Sequence, residues 1–323
     1  MPVVMCIVLA ACSSGPGRAI ERAAPGVTST SVSTVATSAT TRPSPAPGPG
    51  GGEVKALTTP TGVVVPVLGR SGDTWRVGTP CGGHASLRGG TPIRSATVVL
   101  DPGHGGDETG AIGPNGLNEK SLNLAVATMA QADLERAGVQ TVLTRTGDYR
   151  LPVDSRAVLI EQLHPAAFVS VHHNGGADGA ATRPGTETYY QHLDARSKRL
   201  AGLLYEEVFR VFATRPGIDW HANVDAGAKW RLNSRGGDYY GILRSTAGVA
   251  GAISEGLFLT MSRSEADLLA RPEVQAAEAG AIARAVIRFL RTKDPGSGFV
   301  APVPRTTPAT GGGATGCVDP ALG

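Results

Sequence analysis

Four places in the chain carry side chains able to hold a metal or move a proton, and three of them follow a short apolar run that reads as a strand. His104 follows residues 97–100 and the turn Asp101-Pro102-Gly103, the pair His172-His173 follows 168–171, and Glu255 follows 251–254. Glu119 lies fifteen residues past His104 (119 − 104), behind a glycine-rich loop and next to Asn118, a residue type that caps helices. Open α/β sheets bind ligands beyond the carboxyl ends of their strands, so the four positions are expected at one mouth. Two imidazoles and a carboxylate are the donor set of a catalytic zinc with a fourth position left for water, and the other carboxylate is then free to act as a base. Other chemistries fit less well. Glu119-Lys120-Ser121 lacks the glycine that a phosphate loop needs before its lysine, and the chain contains neither His-Glu-x-x-His nor Gly-x-Ser-x-Gly.

The elements that must position these groups follow from local pattern. Residues 97–100 are β-branched or apolar, and Pro102, with no N–H to donate, ends the ladder just before His104. From there strands and helices alternate, which predicts an α/β fold: a central sheet with helices on both faces. Leu122, Ala125, Val126, Met129 and Ala132 form one helical stripe, which Gly138 stops before a strand at 139–144. Asp154 is expected to cap a helix over 156–163 that Pro165 ends. A strand at 186–190 precedes a helix over 195–213 whose Leu200, Leu203, Leu204, Val208 and Val211 share a face. Residues 214–238, with Trp220, His221, Lys229 and Trp230, have no period and are expected to form a functional or mobile loop. Residues 240–243 and 251–254 are strand candidates. Ser262 with Glu265 makes a capping box, and Pro272 opens a last helix facing inward through Val274, Ala281, Ile282 and Val286.

The ends differ in composition from the middle. Residues 1–12 are an apolar run too short to span a bilayer, and 13–52 are a Ser/Thr/Pro/Gly linker that cannot bury enough surface to order itself. Residues 53–94 have short β-branched runs between turn signals and are expected to form a small β-rich module, faintly similar to SH3-like segments of bacterial wall enzymes. The catalytic domain is assigned to 95–293, and 294–323 reads as a disordered tail. Leu9-Ala10-Ala11-Cys12 resembles the lipobox of a bacterial lipoprotein, with Cys12 as the lipidated residue, although residues 2–5 carry no positive charge. Either a lipoprotein signal or a cleaved signal peptide exports the chain. In that compartment Cys81 and Cys317 form a disulfide or remain two thiols, and the sequence leaves both open. With 30 basic against 27 acidic side chains, a net charge of +3, and no Lys/Arg run, no nucleic-acid partner is expected.

The ordered series Asp101-Pro102-Gly103-His104-Gly105-Gly106, Glu119-Lys120-x-x-Asn123-Leu124, Ser170-Val171-His172-His173-Asn174, Glu187-Thr188-Tyr189-Tyr190 and Ser254-Glu255-Gly256-Leu257-Phe258-Leu259 resembles the zinc-dependent N-acetylmuramoyl-L-alanine amidases of the amidase-3 type. The resemblance runs from about 97 to 292 and implies a mixed central sheet. It implies one Zn2+ per chain held by His104, Glu119 and His172, with Glu255 as catalytic base. His173 departs from the small residue common there and is expected to line the cleft or make a hydrogen bond. Asp101 is expected to cap its turn or to support a ligand histidine, and Arg145 and Arg244 to meet muropeptide carboxylates or form structural ion pairs. His84, His164, His192 and His221 are set outside the site. The implied enzyme hydrolyses the amide between the lactyl group of N-acetylmuramic acid and L-alanine in peptidoglycan, as a monomer held at the cell envelope by a lipid anchor on the membrane. The alternatives are a zinc stem peptidase and a non-catalytic wall-binding protein on the same scaffold.

Overall fold

Alternation of apolar residues on either side of Val99 sets the architecture. A computed structural model describes residues 52–304 and 315–323; segment 1–12, Cys12 with it, and 13–51 of the linker lie outside the described residues. The N-terminal strands are β1 (Ala56–Thr58), β2 (Val64–Ser71), β3 (Thr74–Gly78), β4 (His84–Arg88) and β5 (Thr91–Ile93). They form one antiparallel sheet in the order β4-β3-β2-β1-β5 around Leu57, Val65, Trp75 and Val77. The chain then runs through β6 (Val98–Pro102), α1 (Glu119–Arg136), β7 (Thr141–Leu143), α2 (Val153–Leu163), β8 (Ala167–Asn174), β9 (Gly179–Ala181), β10 (Glu187–Tyr190) and α3 (Ala195–Ala213). It ends with β11 (Trp220–Ala222), β12 (Ala228–Lys229), α4 (Gly241–Arg244), β13 (Gly251–Phe258), α5 (Arg263–Leu269) and α6 (Pro272–Arg291).

The central sheet has the order β12-β10-β13-β8-β6-β7 and is mixed, because β10 runs antiparallel to β13 while the other neighbours are parallel. Successive side chains of a strand point to opposite faces, so each buried strand serves two cores. Val98 and Leu100 of β6 pack with α1, α3 and α6 through Val126, Leu204 and Ile282. Val99 faces the other way, with Phe168 and Ile253, against Ile160 of α2, Ile242 of α4, and Ala56 and Val64 of the N-terminal sheet. The β-rich segment therefore packs onto the main sheet through α2 rather than standing apart.

Four local expectations change. Residues 240–243, expected as a strand, form α4, a single turn whose Ile242 and Leu243 reach the core; four apolar-rich residues are too few for periodicity to separate helix from strand. Helix α2 begins at Val153 with Pro152 as its N-cap and no side-chain cap, so Asp154 sits inside the first turn, where a carboxylate still suits the helix dipole. The aperiodic 214–238 contains β11, antiparallel to β9, and β12, parallel to β10; strands of two or three residues leave no period to read. The tail is the fourth. Ala228 N–H donates to Gly298 O and Val300 N–H to Ala228 O, so residues 298–300 extend the sheet beside β12. Phe299 lies edge-on to Tyr190 and under the Lys198 ammonium, an anchor that averaging over Gly, Pro and Thr conceals. Further on, Cys317 is disulfide-bonded to Cys81, with Cα atoms 5.6 Å apart, and Asp319 accepts from Cys81 N–H.

Candidate active site

His104 is one of two non-glycine residues with positive φ (60°) among the described residues, and two buried arginines hold the turn that carries it. Arg145 donates from Nε to Pro102 O (2.9 Å) and from Nη2 to Gly103 O (2.9 Å). Arg156 donates to Pro102 O (2.6 Å) and His104 O (2.7 Å) and pairs with Asp101 at 2.7 Å. A non-glycine residue kept in the left-handed region costs ~1–3 kcal/mol and persists only where its surroundings over-determine it, as these guanidiniums do. Burial alone would raise the Asp101 carboxyl, but Arg156 together with the Thr144 and Ser170 hydroxyls outweighs it and holds the group below its ordinary range. Asp101 thus neither caps its turn nor touches a ligand histidine. Arg145 bonds backbone carbonyls rather than an acidic partner, and Arg244 bonds the carbonyls of Asp238 and Tyr239. Arg156 gave no motif signal in the sequence, because a single arginine on a helix has no diagnostic spacing.

Across the mouth, Glu119 opens α1, whose N-cap Asn118 accepts from Ser121 N–H at 3.2 Å. Its Oε2 lies 3.2 Å from His104 Nε2 and its Oε1 2.9 Å from His172 Nδ1. One ligand atom from each of His104, Glu119 and His172 falls within a group no wider than 4.8 Å. Ala111 N–H also donates to Glu119 Oε2 (2.8 Å), and His104 Nδ1 is 3.2 Å from Glu108 Oε1, which leaves Nε2 turned to the centre. The imidazole of His172 lies over the turn at Gly103, where a Cβ would stand 2.1 Å from its Nε2, so only glycine lets the ring sit there. Burial would lower His104, but hydrogen bonds to Glu108 and Glu119 outweigh it and bring it up to about 9. The two histidines hold Glu119 well below the usual carboxylate range against its burial. Burial lowers His172. Three converging donors can bind a divalent cation that displaces their protons, so the residues present fit a metal.

Glu255 of β13 stands in register between His172 of β8 and Glu187 of β10. It is 8% exposed, and its Oε2 has no hydrogen-bond partner among the described residues. Burial, then the charges of Glu119 and Glu187, push its carboxyl well above the ordinary range, with Lys229 opposing. A cation at the neighbouring cluster would offset that repulsion. Glu187 is saturated: it accepts from Lys229 Nζ (2.7 Å), Tyr189 OH (2.7 Å), Asn174 Nδ2 (2.8 Å) and Asn223 Nδ2 (2.9 Å). His173, adjacent to His172, points to the opposite face of β8 and is buried there. His221 sits on β11, where its backbone N–H donates to Glu265. His192 bonds Asp238, His84 lies on β4, and His164 is the left-handed C-cap of α2.

Two histidines, a buried carboxylate between them and a second carboxyl whose Oε2 has no partner among the described residues, at the mouth of a mixed sheet, make a group suited to metal-assisted hydrolysis. The family model for N-acetylmuramoyl-L-alanine amidases matches residues 98–288, and the chain belongs to that family. It is 33% identical over 218 residues to the uncharacterized protein YqiI of Bacillus subtilis, which spans 66% of this chain and 95% of that protein. It is 35% identical over 126 residues to the N-acetylmuramoyl-L-alanine amidase LytC of the same organism, across 38% of this chain but a quarter (25%) of LytC. Among solved structures it is similar to the N-acetylmuramoyl-L-alanine amidase AmiC2 of Nostoc punctiforme, with a TM-score of 0.50, 30% identity and coverage of 60% of this chain and 96% of that one.

Proposed function

We propose that the protein is an exported zinc amidase that hydrolyses the amide between the lactyl group of N-acetylmuramic acid and L-alanine in peptidoglycan. The observation that supports this best is the unpartnered, buried Glu255 carboxyl beside the His104–Glu119–His172 cluster. An amide is a weak electrophile with a poor leaving group, so its hydrolysis needs both a polarised carbonyl and a proton delivered to nitrogen. A zinc held by His104, Glu119 and His172 supplies the Lewis acidity that polarises the carbonyl and acidifies water. Glu255 accepts a proton from the attacking water as the C–O bond forms. It returns that proton to the alanine nitrogen as the C–N bond breaks, leaving a lactyl carboxylic acid and a free stem peptide. The arginine-held turn keeps His104 at the mouth during this cycle, and Glu187, already saturated, stays out of it.

Export, lipidation at Cys12, action as a monomer and residence at the outer face of the membrane or in the cell wall belong to the same reading. Export and the envelope location are supported by the apolar run 1–12 and by the family's amidase description. Purified protein incubated with peptidoglycan is expected to release intact stem peptides; shortened stems would point instead to a peptidase. Glu255→Ala is expected to retain one zinc per chain and to lose roughly 10²–10⁴ in turnover, the usual contribution of a positioned acid–base group. Wild-type turnover in that variant would overturn the assignment.

A further inference from the structure

We infer that Glu278 of α6 and His173 of β8 are positioning residues for Glu119, acting through the side-chain amide of Asn123. The inference rests on the reading of Glu119 as a metal ligand. Asn123, His173 and Glu278 are 0%, 1% and 0% exposed, and none of them takes part in the chemistry proposed above. Helix α6 otherwise turns Val274, Ala281, Ile282 and Val286 inward, so a glutamate in that row needs a polar reason.

Each link of the chain is directional. Asn123 Nδ2 lies 3.2 Å from Glu119 Oε1 and 3.3 Å from Gly103 O, both acceptors, which fixes the NH2 on that side and leaves Oδ1 facing the other way. Oδ1 lies 2.9 Å from His173 Nδ1, which must therefore carry the proton. His173 Nε2 lies 3.1 Å from Glu278 Oε2, where one further proton completes the line. The backbone N–H of His173 closes the circuit on Glu119 Oε1 at 3.1 Å. Space for the pair is made by Gly256, next to Glu255: a Cβ there would stand 2.4 Å from Glu278 Oε1 and 3.2 Å from His173 Nε2. Glu278 thus fixes the imidazole plane, the imidazole fixes the amide, and the amide and strand backbone together hold one oxygen of Glu119. Outer partners of this kind set ligand orientation, and their loss typically lowers metal affinity by about 10–100-fold.

The test measures zinc affinity of the purified full chain by chelator competition, the visible spectrum of the Co2+-loaded protein, and the melting temperature without metal. Glu278→Leu is expected to weaken zinc binding by about tenfold and to shift the Co2+ bands, whereas Glu278→Gln, which can still bond Nε2, restores both. If Glu278→Leu fails to fold because Nε2 is left buried and unpaired, the double variant His173→Leu/Glu278→Leu removes both polar groups and is expected to fold with the same loss of affinity. A purely structural pair would lower only the metal-free melting temperature. Zinc affinity within twofold of wild type and an unchanged Co2+ spectrum in the folded variants would therefore overturn the inference. A wild-type chain that takes up no zinc would overturn the metal-site reading itself, and this inference with it.

Discussion

Replacing Arg156 by methionine isolates the device that presents His104. The side chain is 4% exposed and donates to Asp101 Oδ1, to Pro102 O, His104 O and Leu151 O. Methionine fills much of the same volume but leaves Asp101 as a buried carboxylate without its cation. Removing one partner of a buried pair costs about 3–5 kcal/mol. At ~2–4 °C per kcal/mol for a domain of this size, the melting temperature should fall by roughly 6–20 °C near neutral pH. The pH dependence gives a sharper reading. In the wild type the Asp101 carboxyl is held below its ordinary value of 3.8, so its contribution is fully present above that pH and is lost as pH falls through the lower folded value. In Arg156→Met burial is opposed only by the Thr144 and Ser170 hydroxyls, so the folded pKa moves up and the Asp101 share of the acid-side slope shrinks. The variant therefore loses less stability than the wild type as pH falls below 3.8, while the other carboxylates titrate alike in both. Urea unfolding between pH 3.5 and 7 measures this difference in slope, with Asp101→Asn/Arg156→Met expected to be partly recovered in stability and to lack the Asp101 contribution. A variant less than about 1 kcal/mol below wild type, or one with the wild-type pH slope, would refute the account of the turn.

Chelation is expected to abolish amide hydrolysis and to lower the melting temperature, and added zinc to restore both; zinc at a hundred times its dissociation constant stabilises by about 2.7 kcal/mol. Burial, followed by Asp219, pushes Glu265 from 4.5 up to about 8 against the His221 N–H, so the folded chain favours the neutral carboxyl and loses stability as pH rises between those values. Glu265→Gln should flatten that part of the melting-temperature profile, and an unchanged slope would show that Glu265 titrates normally. Cys317→Ser is expected to cost about 2–5 kcal/mol, read as a lower denaturation midpoint that added reductant no longer changes. Its zinc content should match wild type, since the bond joins the tail to the N-terminal sheet and not to the metal cluster.

What the sequence revealed and concealed divides along chemistry. The convergence of His104, Glu119 and His172, with Glu255 in register beside them, was legible because α/β topology fixes where strand ends stand. The supports were not legible. Arg145, Arg156 and Glu278 act by where a guanidinium or carboxylate ends up in three dimensions, and residues on one loop and two helices leave no joint spacing in the chain. Helices with a sustained stripe, such as α3 and α6, were legible for the same reason that α4 was not: periodicity needs length. The tail was hidden by its composition, since one phenylalanine among prolines and glycines decides where residues 298–300 lie.

The Cys81–Cys317 bond has a topological consequence. The whole segment matched by the amidase family, residues 98–288, lies inside the covalent ring that the bond closes. A single protease cut anywhere in that segment opens the ring but releases no fragment: both pieces stay on one molecule until the disulfide is reduced. The nicked protein would travel as an intact chain on a non-reducing gel and fall into two bands only with thiol.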